Sequence, residues 1–218
     1  MANHLKTHLI VGLDDEDASG KYNAAFHFQP HRPIDRYEKR ILVPVSEYLP
    51  LENVDLLSAF YAKEYQIFDS LTPGSGAKIF SAQLPIGPSI CYEELFGHAM
   101  RQLRQSGAQL FVNVTNDVWY PETRLPQQHF HHARIRSAEN GVYLLRACNT
   151  GVTGGADCFG ASLPSLPISH TSPSFLTLTL PLQSYPTLYT LWGNWAILLL
   201  SVLSLAGRAE PRANKKSF

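Results

Sequence analysis

The sequence predicts a mixed α/β fold in which a sheet that is not purely parallel is covered on one face by helices. Two observations support this prediction. Short apolar runs alternate with two segments of helical periodicity, and some of the runs are joined by short turns, as in hairpins. With 218 residues, of which 44% are hydrophobic and 17% are charged, the chain is long enough for one sizeable globular core.

The N-terminal part of the chain is predicted to form strands. Residues 8–13 and 22–28 are apolar runs, and the acidic segment 14–20 between them predicts a turn. Residues 78–83 and 86–91 predict a second pair of strands. These two pairs give the sheet its hairpin-like character.

The following part of the chain alternates helices and strands. Its predicted elements are a helix over residues 93–106, a strand over 109–115, a helix over 127–140 and a strand over 142–147. Gly107 and Gly141 directly follow the two helical patterns, where glycine commonly ends a helix. Alternation of this kind predicts helices packed on a sheet.

Cys91 is predicted to lie where a strand ends and a helix begins. The N–H groups and the partial positive charge of a helix N-terminus favour a thiolate and can hold an oxyanion, so this position suits a nucleophile. The alternative is that Cys91 is a small buried hydrophobe, as many cysteines are. Position alone leaves both interpretations open.

The charged and metal-binding residue types exclude some classes of function. The chain has 18 Lys and Arg and 18 Asp and Glu, so no positive excess predicts a nucleic-acid partner. The chain has three cysteines without metal-type spacing, so we expect no disulfide framework. Cys148 and Cys158 are expected to be structural thiols, and a disulfide bond between the two is an open alternative. His129 and His132 lie three apart on one predicted helix without a third ligand, so we expect no metal.

The C-terminal stretch is strongly apolar. Residues 158–207 include no Asp, Glu, Lys or Arg. Within them, residues 188–207 have the length of one membrane-spanning helix, about 20 residues, with two tryptophans near one interface. The basic segment 208–218 follows and predicts a cytoplasmic tail, which places the globular part outside the cytoplasm. The alternative is a buried C-terminal helix of a soluble domain, because Gly193 interrupts the apolar stretch.

Several ordered blocks of the sequence resemble one family. Residues 86–96, Ile-Gly-Pro-Ser-Ile-Cys-Tyr-Glu-Glu-Leu-Phe, resemble the nucleophile segment of apolipoprotein N-acyltransferases, which are members of the nitrilase superfamily. The further matching blocks are residues 37–50, 113–120, 128–134, 146–153 and 193–195. Because these blocks cover nearly the whole chain in the family's order, the resemblance is far more specific than any single motif.

The resemblance implies a Glu-Lys-Cys triad. Cys91 matches the nucleophile that becomes a thioester, and Lys39 matches the lysine that stabilises the tetrahedral intermediate. The other implied site residues are two acids, Glu47 and Glu93, and two substrate-binding residues, Tyr92 and Trp119. No cofactor is implied. Without the resemblance, Lys39 would be interpreted as a surface lysine and Glu93 as ordinary charge at a helix start.

The family's general base, a glutamate, lies upstream of the segments that this chain matches, and residues 14–17 are not in a matching context. Residues 1–8 also lack the apolar core of a signal peptide. We therefore expect an N-terminally incomplete, nitrilase-like α-β-β-α sandwich over residues 1–187, a transmembrane helix over 188–207 and a basic tail over 208–218. A separate polypeptide that supplies the missing half is an expected partner.

The function that the resemblance implies is N-acyl transfer in lipoprotein maturation. An acyl chain passes from a phospholipid to the N-terminal amine of a diacylglyceryl-cysteine apolipoprotein, and the enzyme lies in the bacterial inner membrane with its globular part on the periplasmic face. The expected partners are thus phospholipid, apolipoprotein and membrane. Two alternatives stay open: a soluble nitrilase-type amidase that uses water as acceptor, and a non-catalytic remnant or interaction module.

Overall fold

The computed structural model describes residues 2, 6–51, 54, 70–118, 123–166, 168 and 173–208. Its strands are β1 (Leu9–Asp17), β2 (Gly20–Phe28), β3 (Asp35–Glu38), β4 (Ile86–Ile90), β5 (Leu110–Thr115), β6 (Tyr143–Cys148) and β7 (Gly154–Ala156). Its helices are α1 (Gly97–Gln105), α2 (Leu125–Asn140), α3 (Leu188–Trp192) and α4 (Trp195–Arg208), and a 3₁₀ turn (Cys91–Leu95) lies between β4 and α1. Strands alternate with helices from β4 to β6, as the apolar periodicity predicts.

The first sheet is antiparallel, with the strands in the order β1, β2, β3. β1 and β2 stay paired as far as Asp17 opposite Gly20, so the acidic residues 14–17 belong to a strand. The prediction of an acidic turn over these residues is wrong. Arg36 of β3 explains the difference, because its guanidinium lies 2.8 Å from the Asp15 carboxylate and 2.9 Å from that of Asp17 and offsets their repulsion.

The second sheet is mixed, with the strands in the order β4, β5, β6, β7. The first three strands are parallel, and β7 pairs antiparallel with β6. α1 and α2 connect the parallel strands, and α2 ends at Gly141, whose φ of 62° suits glycine. Because the three strands are parallel, their carboxyl ends lie at one edge of the sheet, and Cys91 directly follows β4 at that edge.

The two sheets pack face to face, and the helices cover the far side of the second sheet. Ala25 and Tyr37 of the first sheet share a buried cluster with Phe80, Ile90 and Val114. On the other face, the packed side chains of α1, α2 and the second sheet include Met100, Leu103, Ala133, Phe111 and Leu144. The described residues thus provide three of the four predicted layers, and a helical layer on the outer face of the first sheet is not among them.

The apolar C-terminal stretch forms two helices instead of one. Gly193, at a φ of 58°, separates α3 from α4, which has 14 residues. The structure does not support the prediction of a single membrane-spanning helix over residues 188–207, because the 14 residues of α4 extend only about 21 Å, against about 30 Å of bilayer hydrocarbon. None of the helices in the described ranges is long and apolar enough to cross a bilayer.

The alternative of a buried C-terminal helix also differs from what is observed. Trp195 is 75% exposed, and the leucines and isoleucine of α4 are exposed around the whole circumference of the helix. The basic segment predicted as a tail lies outside the described residues, apart from Arg208 at the end of α4.

Candidate active site

Cys91 occupies a strained position between β4 and the 3₁₀ turn. Ile90 is extended, with a φ of −121°, whereas Cys91 has a φ of 52°. A left-handed backbone costs a non-glycine residue roughly 1–2 kcal/mol, and it persists only where the surroundings hold it. The predicted position at a strand end is confirmed, but the chain turns through a 3₁₀ turn before α1 begins at Gly97.

Glu93 joins this turn to the first sheet. Its carboxylate accepts hydrogen bonds from the Ile90 N–H at 2.8 Å and, across the sheet interface, from the Arg40 N–H at 2.7 Å and the Ile41 N–H at 3.2 Å. The Tyr37 hydroxyl donates to the same carboxylate at 3.0 Å. Burial raises the pKa of Glu93, while the three N–H groups and the hydroxyl oppose that rise. Glu93 is therefore a buried residue that holds the turn in place, and it is not an exposed acid at the start of a helix.

Asn113 of β5 holds the same turn from the second sheet. Its side-chain amide donates to the carbonyl oxygen of Cys91 and to the Ser89 hydroxyl, both at 3.0 Å. The sequence analysis did not single out Asn113. The available signal was an amide residue in the middle of the apolar strand Leu110–Thr115, because a buried polar side chain needs a partner.

Lys39 directly follows β3 and is almost completely buried, with 1% of its side chain exposed. Its ammonium group lies 2.8 Å and 2.7 Å from the two carboxylate oxygens of Glu47. Glu47 also accepts hydrogen bonds from the Asn23 side chain at 2.9 Å and the Val43 N–H at 2.8 Å. The interpretation of Lys39 as a solvated surface lysine is wrong, since it is one half of a buried, hydrogen-bonded ion pair.

Tyr92 brings the Lys39–Glu47 pair next to the Cys91 turn. The Lys39 ammonium lies 5.5 Å from the centre of the Tyr92 ring, which is within the range of a cation–π contact. The Tyr92 hydroxyl donates to the Leu42 carbonyl at 3.3 Å. Burial raises the pKa of Tyr92, and the negative charge of Glu47 adds to the rise. Of the residues predicted for the site, Trp119 lies outside the described residues.

A second buried charge cluster, which the sequence analysis did not foresee, lies behind the turn. Glu94 and Arg146 form an ion pair in which both side chains are 0% exposed. Arg146 also lies 3.5 Å from Asp117, whose other oxygen is 3.0 Å from Nδ1 of His129. Because the His129 ring is hydrogen-bonded to the Asp117 carboxylate, His129 belongs to this cluster. Burial lowers the pKa of Arg146.

The three cysteines are all free in the structure. Cys148 donates its thiol hydrogen to the Val152 carbonyl at 3.1 Å, and Cys158 is buried in the core between the sheets. Burial raises the pKa of Cys148 and of Cys158, so both favour the neutral thiol. The bond that was left open between them is not formed.

The carboxylates around the Cys91 turn are already engaged. Glu47 faces Lys39, Glu93 accepts from backbone N–H groups and a tyrosine, and Glu94 faces Arg146. A general base needs a free acceptor within hydrogen-bond reach of the thiol. In the described ranges, these three acids hold the turn and the lysine in place and are not available as that base.

A thiol at a tight turn after a parallel strand, beside a buried Lys-Glu pair and between two packed sheets, is the arrangement of a carbon-nitrogen hydrolase. The chain belongs to the carbon-nitrogen hydrolase family, whose model matches residues 1–164. A solved amidase from Nesterenkonia sp. AN1, with acrylamide added to its active-site cysteine, has the same fold. It aligns with a TM-score of 0.55 at 20% identity and covers 77% of this chain and 61% of that one. The nitrilase-like fold is therefore confirmed.

Among curated proteins, the chain is similar to apolipoprotein N-acyltransferases. It is 39% identical over 216 residues to the protein of Chlamydia caviae, covering 94% of this chain and 40% of that protein. It is 38% identical over 191 residues to the protein of Methylococcus capsulatus, covering 86% and 36%. These matches confirm the predicted resemblance. The chain spans about two fifths of the length of these relatives.

Proposed function

We propose that the protein takes part in N-acylation of lipoproteins, moving an acyl chain from a phospholipid to the N-terminal amine of a diacylglyceryl-cysteine apolipoprotein. The observation that carries the proposal is the strained Cys91 turn beside the buried Lys39–Glu47 pair, in a chain 39% identical to an apolipoprotein N-acyltransferase. Covalent acyl transfer needs a nucleophile, a base and a donor for the oxyanion. In this proposal, Cys91 is the nucleophile and the Lys39 ammonium is the donor for the oxyanion.

In the first half-reaction, the Cys91 sulfur attacks the ester carbonyl carbon of the phospholipid. The Lys39 ammonium donates a hydrogen bond to the oxyanion that forms. The carbon–oxygen bond of the ester then breaks, the lysophospholipid alkoxide takes from the base the proton that the thiol lost and leaves as the alcohol, and a Cys91 thioester remains. The thiol proton passes to a general base, which we propose comes from a segment outside the described residues or from a separate polypeptide, because Glu47, Glu93 and Glu94 are engaged.

In the second half-reaction, the N-terminal amine of the apolipoprotein attacks the thioester carbonyl carbon. An amide bond forms, the carbon–sulfur bond breaks, and the thiolate recovers a proton from the attacking amine through the base. In this proposal Glu47 orients Lys39, Glu93 holds the turn, and Tyr92 and Trp119 contact the substrates. Tyr92 suits that role because its ring is half-buried beside Lys39.

We also propose that the protein works at the bacterial inner membrane, with its globular part on the periplasmic face. The support is α4, whose apolar side chains are exposed from Trp195 to Leu205. Exposed apolar surface of this extent marks a site of contact with a membrane or with another protein. A phospholipid donor must be reached at a membrane, and α4 provides an apolar surface for that contact.

Mass spectrometry of Cys91 tests the proposal. The chain is co-expressed with the N-terminal part of the Chlamydia caviae relative and incubated with phospholipid in detergent micelles. We expect the Cys91 peptide to gain the mass of one acyl chain and to lose it when a diacylglyceryl peptide is added. Cys148→Ala serves as the matched control and retains the adduct, whereas Cys91→Ala has none. Absence of an adduct in the co-expressed complex contradicts the proposal.

The amidase alternative is distinguished in the same preparation. One solved structure with the same fold is an amidase. With water as the acyl acceptor, the protein would hydrolyse short amides and release ammonia. The exposed apolar surface of α4 favours a lipid substrate instead. Release of ammonia that depends on Cys91, without any acyl adduct from phospholipid, would support the amidase.

A further inference from the structure

Arg146 lies in β6, fully buried, and faces two acids. Its Nη1 pairs with Glu94 and its Nη2 lies 3.5 Å from Asp117, while the same nitrogen approaches the Cys148 sulfur at 3.8 Å. The side chains of Glu94 and Asp117 are 0% and 1% exposed. A fully desolvated arginine between two carboxylates is costly to bury, so the fold keeps it only together with its partners.

The two acids belong to different segments. Glu94 lies in the 3₁₀ turn, three residues after Cys91, and Asp117 follows β5. Asp117 is itself held by Nδ1 of His129 at 3.0 Å and by the Thr115 hydroxyl at 3.3 Å. Arg146 therefore ties the turn that carries Cys91 to the loop after β5 and, through Asp117, to helix α2.

The Cys91 turn is held from opposite sides by consecutive residues. Glu93 joins it to the first sheet through the N–H groups of Arg40 and Ile41. Glu94 joins it to β6 of the second sheet through Arg146. A positive φ at Cys91 persists only where the surroundings hold it, and the Glu94–Arg146 pair adds to the hydrogen bond that the Asn113 amide donates to the Cys91 carbonyl from the same sheet.

We propose that Arg146 is a positioning residue for Cys91, which acts through Glu94 to fix the turn in the geometry that makes the thiol reactive. The inference rests on Cys91 being the reacting group of the proposed function, but its test requires no acyl transfer.

The test measures alkylation of Cys91 by iodoacetamide in the full 218-residue chain co-expressed with the N-terminal part of the Chlamydia caviae relative, between pH 6 and pH 9, with peptide mass mapping to separate Cys91 from the other cysteines. Arg146→Lys keeps a charge but cannot bridge two acids, and Glu94→Gln keeps the shape without the charge. We expect each variant to alkylate about tenfold more slowly than the wild type at every pH in this interval, because the thiol is no longer held in one geometry.

Two comparisons separate positioning from stability. Arg104→Lys is the matched control, because Arg104 is a partly buried arginine that donates to the carbonyls of Asn140 and Ala108 and touches neither acid. We expect it to lower the melting temperature without slowing alkylation. In the double variant Arg146→Lys/Glu94→Gln, we expect no greater slowing than in either single variant, since the two residues act as a unit.

Three outcomes overturn the inference: wild-type alkylation rates in both single variants, faster alkylation because the turn has merely opened, or additive slowing in the double variant. An unreactive Cys91 in the wild-type chain would instead contradict the proposed function. The two failures are thereby distinguished.

Discussion

At the scale of single residues, Lys39 and Cys91 show how the site combines burial with strain. Lys39 is surrounded by protein and depends on Glu47 for charge balance, and Glu47 depends on Asn23 and Val43 for its remaining hydrogen bonds. Cys91 departs from the backbone region that its side chain favours. Both features place a cost at the site that the surrounding fold must offset.

Removing the charge of Lys39 leaves a buried carboxylate without its cation. We expect Lys39→Met to lower the free energy of unfolding by about 3–5 kcal/mol, as is usual when one partner of a buried ion pair is removed. Urea denaturation followed by circular dichroism measures the change. Lys39→Met/Glu47→Gln should recover much of the loss, because the neutral amide keeps its other hydrogen-bond partners. A loss below about 1 kcal/mol in Lys39→Met would show that the pair is not buried as described.

Replacing Cys91 by glycine relieves its backbone strain. We expect Cys91→Gly to be more stable than Cys91→Ala by about 1 kcal/mol, because alanine keeps the penalty of a positive φ and glycine does not. Cys148 provides the matched control within a regular strand, where alanine should be the more stable replacement by about 0.5–1 kcal/mol. The same order of stability at both positions would contradict the strained turn.

At the scale of elements, the sequence predicted those parts whose signals are local. β5, α2 and β6 follow from apolar periodicity and from Gly141, and the observed boundaries lie within two residues of the predicted ones. The acidic end of β1 could not be predicted, because it depends on Arg36 from another strand. Gly193 is a local signal for a break, and its backbone conformation, with a φ of 58°, ends α3 although the apolar stretch continues on both sides.

The buried histidine of β2 makes the first sheet sensitive to acid. His27 is fully buried against Phe80, and its ring nitrogens face His8 at 2.9 Å and the Asp35 carboxylate at 3.6 Å. Burial, reinforced by His8, lowers the pKa of His27 below its ordinary value of 6.5, although Asp35 opposes the change. Folding therefore favours neutral His27, and the stability that this supplies is present above pH 6.5 and is lost as the pH falls below it.

A substitution at His27 should remove part of the dependence of the chain's stability on pH. We expect the melting temperature of the wild-type chain to fall between pH 7 and pH 5, and His27→Phe to fall less, because phenylalanine keeps the stacking without a titrating group. Scanning calorimetry across that interval measures the difference. His98→Phe is the control at an exposed histidine and should follow the wild type. Equal slopes for His27→Phe and the wild type would exclude this origin of the dependence.

At the scale of the whole molecule, the site is assembled from segments far apart in the chain. Lys39 follows β3 of the first sheet, Cys91 follows β4 of the second sheet, and Arg146 lies in β6 of that second sheet. The order of the matching blocks predicted Cys91, Lys39, Glu47 and Glu93 as site residues, and their roles stay a prediction. The pairing of Glu94 with Arg146 could not be predicted, because the two residues are 52 positions apart and the sequence between them carries no signal that two buried charges meet.

Helix α4 should control association with lipid without contributing to the folded core. A chain ending at Asn194 should lose most of its binding to phospholipid vesicles, because the exposed apolar side chains from Trp195 to Leu205 are gone. Its melting temperature should stay that of the full chain. Vesicle sedimentation and circular dichroism measure the two properties, and undiminished vesicle binding by the shortened chain would contradict a lipid-contacting role for α4.

The consecutive acids Glu93 and Glu94 couple the chemistry of the thiol to the docking of the two sheets. Since one acid is held by the first sheet and the other by the second, the turn acquires its conformation only when both sheets are in register. A chain in which either sheet has yet to dock presents an ordinary cysteine. We therefore expect the backbone conformation of Cys91 to be acquired late in folding, after the two sheets have packed against each other.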